Sequence, residues 1–215
     1  AAWKNLDDGS DLGTTWKDFA FDDQNWKTGQ AKLGYGNDGE QTVLTYGDDD
    51  TNKHITYYFR HEFNFNGTSI PKNLTASLIR DDGAIVYLNG EEVIRSQMPA
   101  GEITFETFAS GHASGLNEKL AVPYKIDSSK LIKGKNVIAV EIHQDDITSS
   151  DIGFSLTLNA TDLKIEDYIY KTLKSSSFKK QFEDSFSYLP ASQADRAKNA
   201  LRYALDDDIT FDEES

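Results

Sequence analysis

Apolar and polar residues alternate with a period of two along most of the first 160 positions, the repeat expected of strands with one buried face. It is cleanest over residues 55–65, where Tyr57, Phe59, His61, Phe63 and Phe65 fall on one side and Tyr58, Arg60, Glu62 and Asn64 on the other. The aromatic side reads as the core face and the other as a charged outer face. The same repeat predicts strands over residues 74–80, 84–89, 91–95, 136–144 and 152–158, with weaker candidates at 105–108 and 120–126. Asp82-Gly83 and Asn89-Gly90 read as turns, because Gly and Asn tolerate positive φ. The second of these closes a hairpin between residues 84–89 and 91–95. Many strands with turns between them and no helical intervals predict an antiparallel β-sandwich over residues 1–160.

Two stretches depart from this rhythm. Residues 1–36 hold all three tryptophans, Trp3, Trp16 and Trp26, among Asp, Gly and Thr. They read as a long ordered loop with short strands, Trp16 and Trp26 plugging one end of the sandwich. From residue 161 the apolar spacing becomes helical: Ile165, Tyr168, Ile169 and Leu173, then Phe178, Phe182 and Phe186, then Ala194, Ala197, Leu201 and Leu205 behind Pro190. A proline suits the first turn of a helix, so residues 161–215 read as two or three amphipathic helices ending in an acidic tail. This C-terminal segment is a helical annex or the start of a neighbouring domain.

Composition narrows the partners. Only 38% of the 215 residues are hydrophobic, but 12% are aromatic, and large rings bury enough area to sustain a core. With 36 acidic against 22 basic residues the net charge is −14, which repels nucleic acid and anionic membrane surfaces. Neutral sugars, cations and basic protein patches remain compatible. The chain has no cysteine, which excludes disulfide scaffolds, thiolate zinc sites and thiol catalysis. No apolar run approaches the ~18 residues of a membrane span. The chain starts without methionine or signal peptide, as a processed or excised piece of a larger protein would.

Several side chains are candidates for chemistry. Glu141 and His143 lie two apart on a predicted strand and share a face, opposite Val140 and Ile142. If that strand neighbours residues 55–65, Arg60 and Glu62 could join them, with Arg80 and Asp82 converging from the mouth of the hairpin. Arginine and carboxylate groups suit the vicinal hydroxyls of a sugar. The plainer alternative is a cross-strand Arg–Glu pair on a solvated sheet face. Tyr35, Tyr46 and Tyr87 could stack on a pyranose ring or be buried. Asp48, Asp49 and Asp50 repel one another unless solvated or bound to a cation, so Asp48 and Asp50 are candidate Ca²⁺ ligands on a Gly-rich loop. No Gly-x-Ser-x-Gly and no zincin-type histidine spacing is present, and neither points to catalysis.

Four segments in order carry a resemblance: Phe21-Asp22-Asp23 with Trp26 and Leu33-Gly34-Tyr35-Gly36; Tyr58-Phe59-Arg60-His61-Glu62-Phe63; residues 80–90 with Val86-Tyr87-Leu88-Asn89-Gly90; and residues 136–144. Together they resemble the galactose-binding-like jelly-roll modules of large secreted bacterial proteins, and the sugar-binding domains of β-galactosidase-type glycoside hydrolases. The resemblance covers about residues 3–160. It implies a noncatalytic sandwich of roughly eight strands, extracellular or on the cell surface, often carbohydrate-binding, with a structural Ca²⁺. The expected partners are a glycan or polysaccharide and neighbouring domains of the parent chain. A structural or protein-interaction domain beside a catalytic or adhesive neighbour is the alternative. A hydrolase using Glu141 is a third reading.

Overall fold

The computed structural model describes residues 1–36, 39–113 and 115–161. Its middle is the strand with the cleanest alternation, β5 (Thr56–Phe65), flanked by β1 (Ala2–Leu6) and β10 (Gly134–His143). Beyond β1 lies β2 (Lys27–Gln30), and beyond β10 lie β7 (Gly83–Leu88) and β8 (Glu91–Ser96), giving an antiparallel sheet in the order β2-β1-β5-β10-β7-β8. The facing sheet runs β4 (Thr42–Val43), β3 (Leu33–Tyr35), β11 (Ile152–Thr161), β6 (Asn73–Asp81) and β9 (Val122–Ile126), antiparallel except for β3 with β4.

The inner faces meet in a core of Trp3, Leu33, Tyr57, Phe59, Leu78, Val86, Ile138, Val140 and Phe154, among others. Phe59 and Phe154 stack across the sheets at 4.3 Å, and Trp3 meets the edge of Phe154 at 4.9 Å. Aromatic pairs in these geometries contribute about 0.5–1.5 kcal/mol beyond the area they bury. The alternation thus identified the inner face of β5, whereas β7 is buried on both faces. Residues 161–215, expected to be helical, lie outside the described residues apart from Thr161, the last residue of β11.

Four expectations are corrected. The short strands expected within residues 1–36 are β1 to β3 and the loop after them adds β4, so the described residues hold eleven strands rather than roughly eight. Residues 105–108 form no strand; residues 105 and 106 are a turn closed by Thr107 N–H donating to the Thr104 carbonyl. Asp82-Gly83 is a crossing from one sheet to the other rather than a hairpin turn, since β6 and β7 belong to different sheets. Gly83 suits that crossing because a Cβ there would lie 2.5 Å from Met98 Sδ and 2.8 Å from Ala109 Cβ. Only Asn89-Gly90 behaves as expected, both residues at positive φ (54° and 88°) between β7 and β8. The Asn89 side chain ties that turn to β10 by donating to Asn136 Oδ1 and accepting from Val137 N–H.

The fourth correction concerns the outer face of β5, β10 and β7, which is covered rather than solvated. Trp16 and Trp26 lie over it with Leu12, Phe21, Met98, Ile103 and Phe105, forming a second apolar layer on Tyr58, Ile85, Tyr87 and Ala139. The two tryptophans therefore roof a sheet instead of plugging an end. The polar centre of this layer is Arg60, whose side chain is fully buried. Its Nε donates to Asp23 Oδ2 at 2.8 Å, its Nη1 to the carbonyls of Trp16 and Asp18, and its Nη2 to that of Phe21. A planar guanidinium with five donors can hold several points of one loop together, where an ammonium could not. Arg60→Ala is expected to cost about 3 kcal/mol, since it strands buried acceptors and Asp23. Urea denaturation measures that loss, and limited proteolysis should find new cleavage within residues 15–26 while β-sheet circular dichroism is retained.

Candidate functional site

The register of β5 on β10 decides which predicted residues can meet. Arg60 stands opposite Ala139 and Glu62 opposite Val137, while Glu141 stands opposite Tyr58 and His143 opposite Thr56. The expected convergence of Arg60, Glu62, Glu141 and His143 therefore does not form. Arg60 is spent on the loop above it. Glu62 is exposed and forms an ion pair with Lys135 on the neighbouring strand. Arg80 donates from Nε to Ser96 Oγ at 3.0 Å, which in turn meets the Tyr124 hydroxyl at 2.8 Å, a link between the two sheets. Tyr35 is buried, accepts from Gln144 Nε2 at 2.6 Å, and has its phenol pushed up to about 12 by burial. Tyr46 packs edge-on against Tyr35 at 5.1 Å, with Lys53 Nζ 5.4 Å from its own ring centre.

Glu141 and His143 do come together. Glu141 Oε1 accepts from the Tyr87 hydroxyl at 2.7 Å, and Oε2 lies 3.3 Å from His143 Nε2 without a hydrogen bond in line. His143 Nδ1 meets the Thr107 carbonyl at 2.7 Å and Thr56 Oγ1 at 2.9 Å. Burial, and then the charge of Glu141, pushes the Tyr87 and Tyr58 phenols well above their ordinary range, so both remain neutral hydrogen-bonding groups. Above Glu141 the covering loops leave a partly open pocket of about 230 Å³. It is lined by Asp11, Gly13, Thr14, Tyr58, residues 102–106 and Glu141.

A second polar site forms where the chain crosses between sheets. Asp82 is fully buried; its Oδ1 accepts from Ala113 N–H at 2.6 Å and its Oδ2 from Asp145 N–H at 3.0 Å, so it pins two loops. His112 Nδ1 lies 3.1 Å from Asp145 Oδ2 and 3.4 Å from Asp82 Oδ1. Beside it, single oxygens of Asp81, Glu118 and Asp151 lie within 4.8 Å of one another. These three could supply the hard oxygen ligands that Ca²⁺ takes, whereas the Asp82–His112–Asp145 group offers a nitrogen and a carboxylate already occupied by backbone donors. Asp48 and Asp50, the expected metal ligands, are exposed on their loop and belong to neither group.

Sequence patterning does not single out Asp81, Glu118, Asp145 or Asp151. The available signal was that Asp145 and Asp151 bracket the loop joining the two central strands β10 and β11. Asp11, Glu102 and Glu106 around Glu141 were also missed, because the loops that bring them there carry no period; Tyr58 stands on the outer face of β5 as its alternation implies.

Solved structures with a similar chain course include a calcium-binding mutant of a Bacteroides uniformis β-glucuronidase (20% identity, TM-score 0.48, 73% of this chain and 17% of that one). Others are a β-glycosidase from Bacteroides vulgatus (16%, 0.44, 73% and 19%) and a glycosyl hydrolase family 2 member from Bacteroides cellulosilyticus (14%, 0.46, 73% and 20%). The match therefore spans a fifth or less of each of these chains. No family model matches the chain, and no curated protein matches it. The all-β, two-sheet architecture fits a galactose-binding-like module. Among the described residues no helix is long and apolar enough to cross a membrane.

The acidic crossing makes stability depend on pH. Burial, then repulsion from Asp82 and Asp151, pushes the Asp81 carboxyl from an ordinary 3.8 up to about 8. The folded chain thus holds this proton more tightly than the unfolded chain does. Its contribution is full below about pH 4 and is lost as pH rises towards 8. In metal-free buffer, thermal melts should show stability falling from pH 5 to pH 8, and Asp81→Asn should flatten that fall.

Proposed function

We propose that this chain is a noncatalytic carbohydrate-binding module of a larger extracellular protein, and that one sugar unit is held in the pocket over Glu141. The observation that carries this reading is the pocket: hydrogen-bonding carboxylates beside the rings of Tyr58 and Phe105, on a rigid pair of central strands. Its volume of about 230 Å³ suits a single ring better than a drug-sized ligand, whose sites run to about 300–1,000 Å³. Glu141, held by Tyr87, is positioned to accept hydrogen bonds from sugar hydroxyls. The other contacts first expected, at Arg60, Arg80, Tyr35 and Asp82, serve instead as internal ties. The partners are a glycan and neighbouring domains of the parent chain.

The alternative is a structural domain that packs against a neighbour. Its support is the exposed apolar side chains of Val43 (76% exposed), on edge strand β4, and of Leu120 (55%). Isothermal titration against a polysaccharide panel separates the two readings. Binding that Glu141→Gln weakens about tenfold or more supports the module, on the scale of one lost charged hydrogen bond. Silence across the panel, with loss of a neighbour's stability on deletion of this domain, favours the alternative. Turnover of any glycan would overturn the noncatalytic reading.

Within the same reading, Asp81, Glu118 and Asp151 hold a structural Ca²⁺ at the sheet crossing, the cation replacing the proton that Asp81 otherwise keeps. At a hundredfold excess over Kd, binding of this kind adds about 2.7 kcal/mol, roughly 5–10 °C in Tm for a chain of this size. The shift should be larger at pH 8 than at pH 5, reversed by chelation, and absent in Asp81→Asn. No Ca²⁺-dependent shift at either pH would remove the metal from the description.

A further inference from the structure

The pocket over Glu141 is lined by four carboxylates, those of Asp11, Glu102, Glu106 and Glu141, and by no lysine or arginine. Asp11, Glu102 and Glu106 are solvent-exposed, whereas Glu141 is 5% exposed. Only one oxygen of Glu141 receives a hydrogen bond, from Tyr87; the other faces His143 Nε2, which is itself buried without a partner. Because the Thr107 carbonyl can only accept, the short contact to His143 Nδ1 puts the ring proton there. The described residues lining the pocket thus gather four carboxylates without a basic side chain among them, an arrangement balanced by a donor that brings positive charge. The neighbouring cations are committed elsewhere: Lys17 Nζ stands 4.4 Å from the centre of the Tyr87 ring, and Arg95 is paired with Glu92.

We propose that this pocket takes the protonated amine of an amino sugar, the ammonium on Glu141 and the pyranose ring against Tyr58 and Phe105. The inference rests on the carbohydrate-binding reading above and narrows it. A neutral sugar can satisfy the free oxygen of Glu141 but leaves the surrounding negative charge uncompensated. A uronic acid adds a fifth negative charge and is rejected. The aromatic wall favours a ring over the extended side chain of a lysine, which carries the same ammonium.

The test is isothermal titration of the full 215-residue chain with a glucosamine oligomer, its N-acetylated counterpart, a neutral glucan, a uronic acid oligomer and a lysine-rich peptide. The glucosamine oligomer should bind up to about fivefold tighter than the acetylated one in low salt, the upper end for a single ion pair at an exposed site. That preference should shrink as salt shortens the screening length below ~10 Å. Glu102→Gln with Glu106→Gln, both on exposed residues, should reduce the preference with Tm unchanged, so the result does not depend on a Glu141 variant that folds poorly. Equal binding of amine, acetamide and neutral oligomers overturns this inference and leaves the carbohydrate reading standing. Binding of the peptide alone, or of nothing, overturns both. A preference that survives the double substitution and Glu141→Gln overturns the location.

Discussion

The buried guanidinium of Arg60 is the interaction on which the outer half of this protein depends. A β-sandwich needs only its two inner faces to be apolar, and this chain meets that need with Phe59, Phe154, Trp3 and their neighbours. The outer face of the six-stranded sheet then needs a cover, because Tyr58, Ile85 and Tyr87 project from it. The covering loop is short of regular structure, and its carbonyls at Trp16, Asp18 and Phe21 all turn towards one cation. Taking a charge out of water is costly unless its donors are matched, and here the loop backbone and Asp23 match them. The layer that results turns Glu141 from a surface carboxylate into a member of a pocket.

The sheet crossing at Asp81-Asp82 is built on the opposite charge. Asp82 is satisfied by two backbone N–H groups from separate loops, so its burial is structurally useful. Asp81 lies with Asp151 and Glu118, and burial with repulsion from Asp82 and Asp151 favours its protonated form. Burial pushes the Asp82 carboxyl upward too, but its two backbone donors oppose that shift while they fasten the loops. Both features follow from placing adjacent aspartates where the chain leaves one sheet for the other.

The fold was largely legible in the chain. Strands β5, β6, β7, β8, β10 and β11 all carry two-residue alternation, and Asn89-Gly90 announces its own turn, because these signals depend on neighbours in sequence. Short strands were expected within residues 1–36 but β1 to β3 could not be placed, and β4 was not expected: all four are two to five residues long and sit among Asp and Gly. The site was legible only in part. That Glu141 and His143 share a face follows from strand geometry. That Arg60 belongs to a loop 37 to 44 positions earlier, and that Asp81 meets Asp151, follow from packing alone.

The sequence by itself determined which side of β5 is apolar, where the hairpin turns, and that the chain is acidic and free of thiol chemistry. Tertiary structure decided what stands on the polar side. Period-two patterning distinguishes the two faces of a strand but does not say whether the second is wet or roofed by a loop. At Arg60, Asp82 and Glu141 it is roofed, so residues that read as surface contacts became a loop anchor, a crossing pin and the buried carboxylate of a pocket.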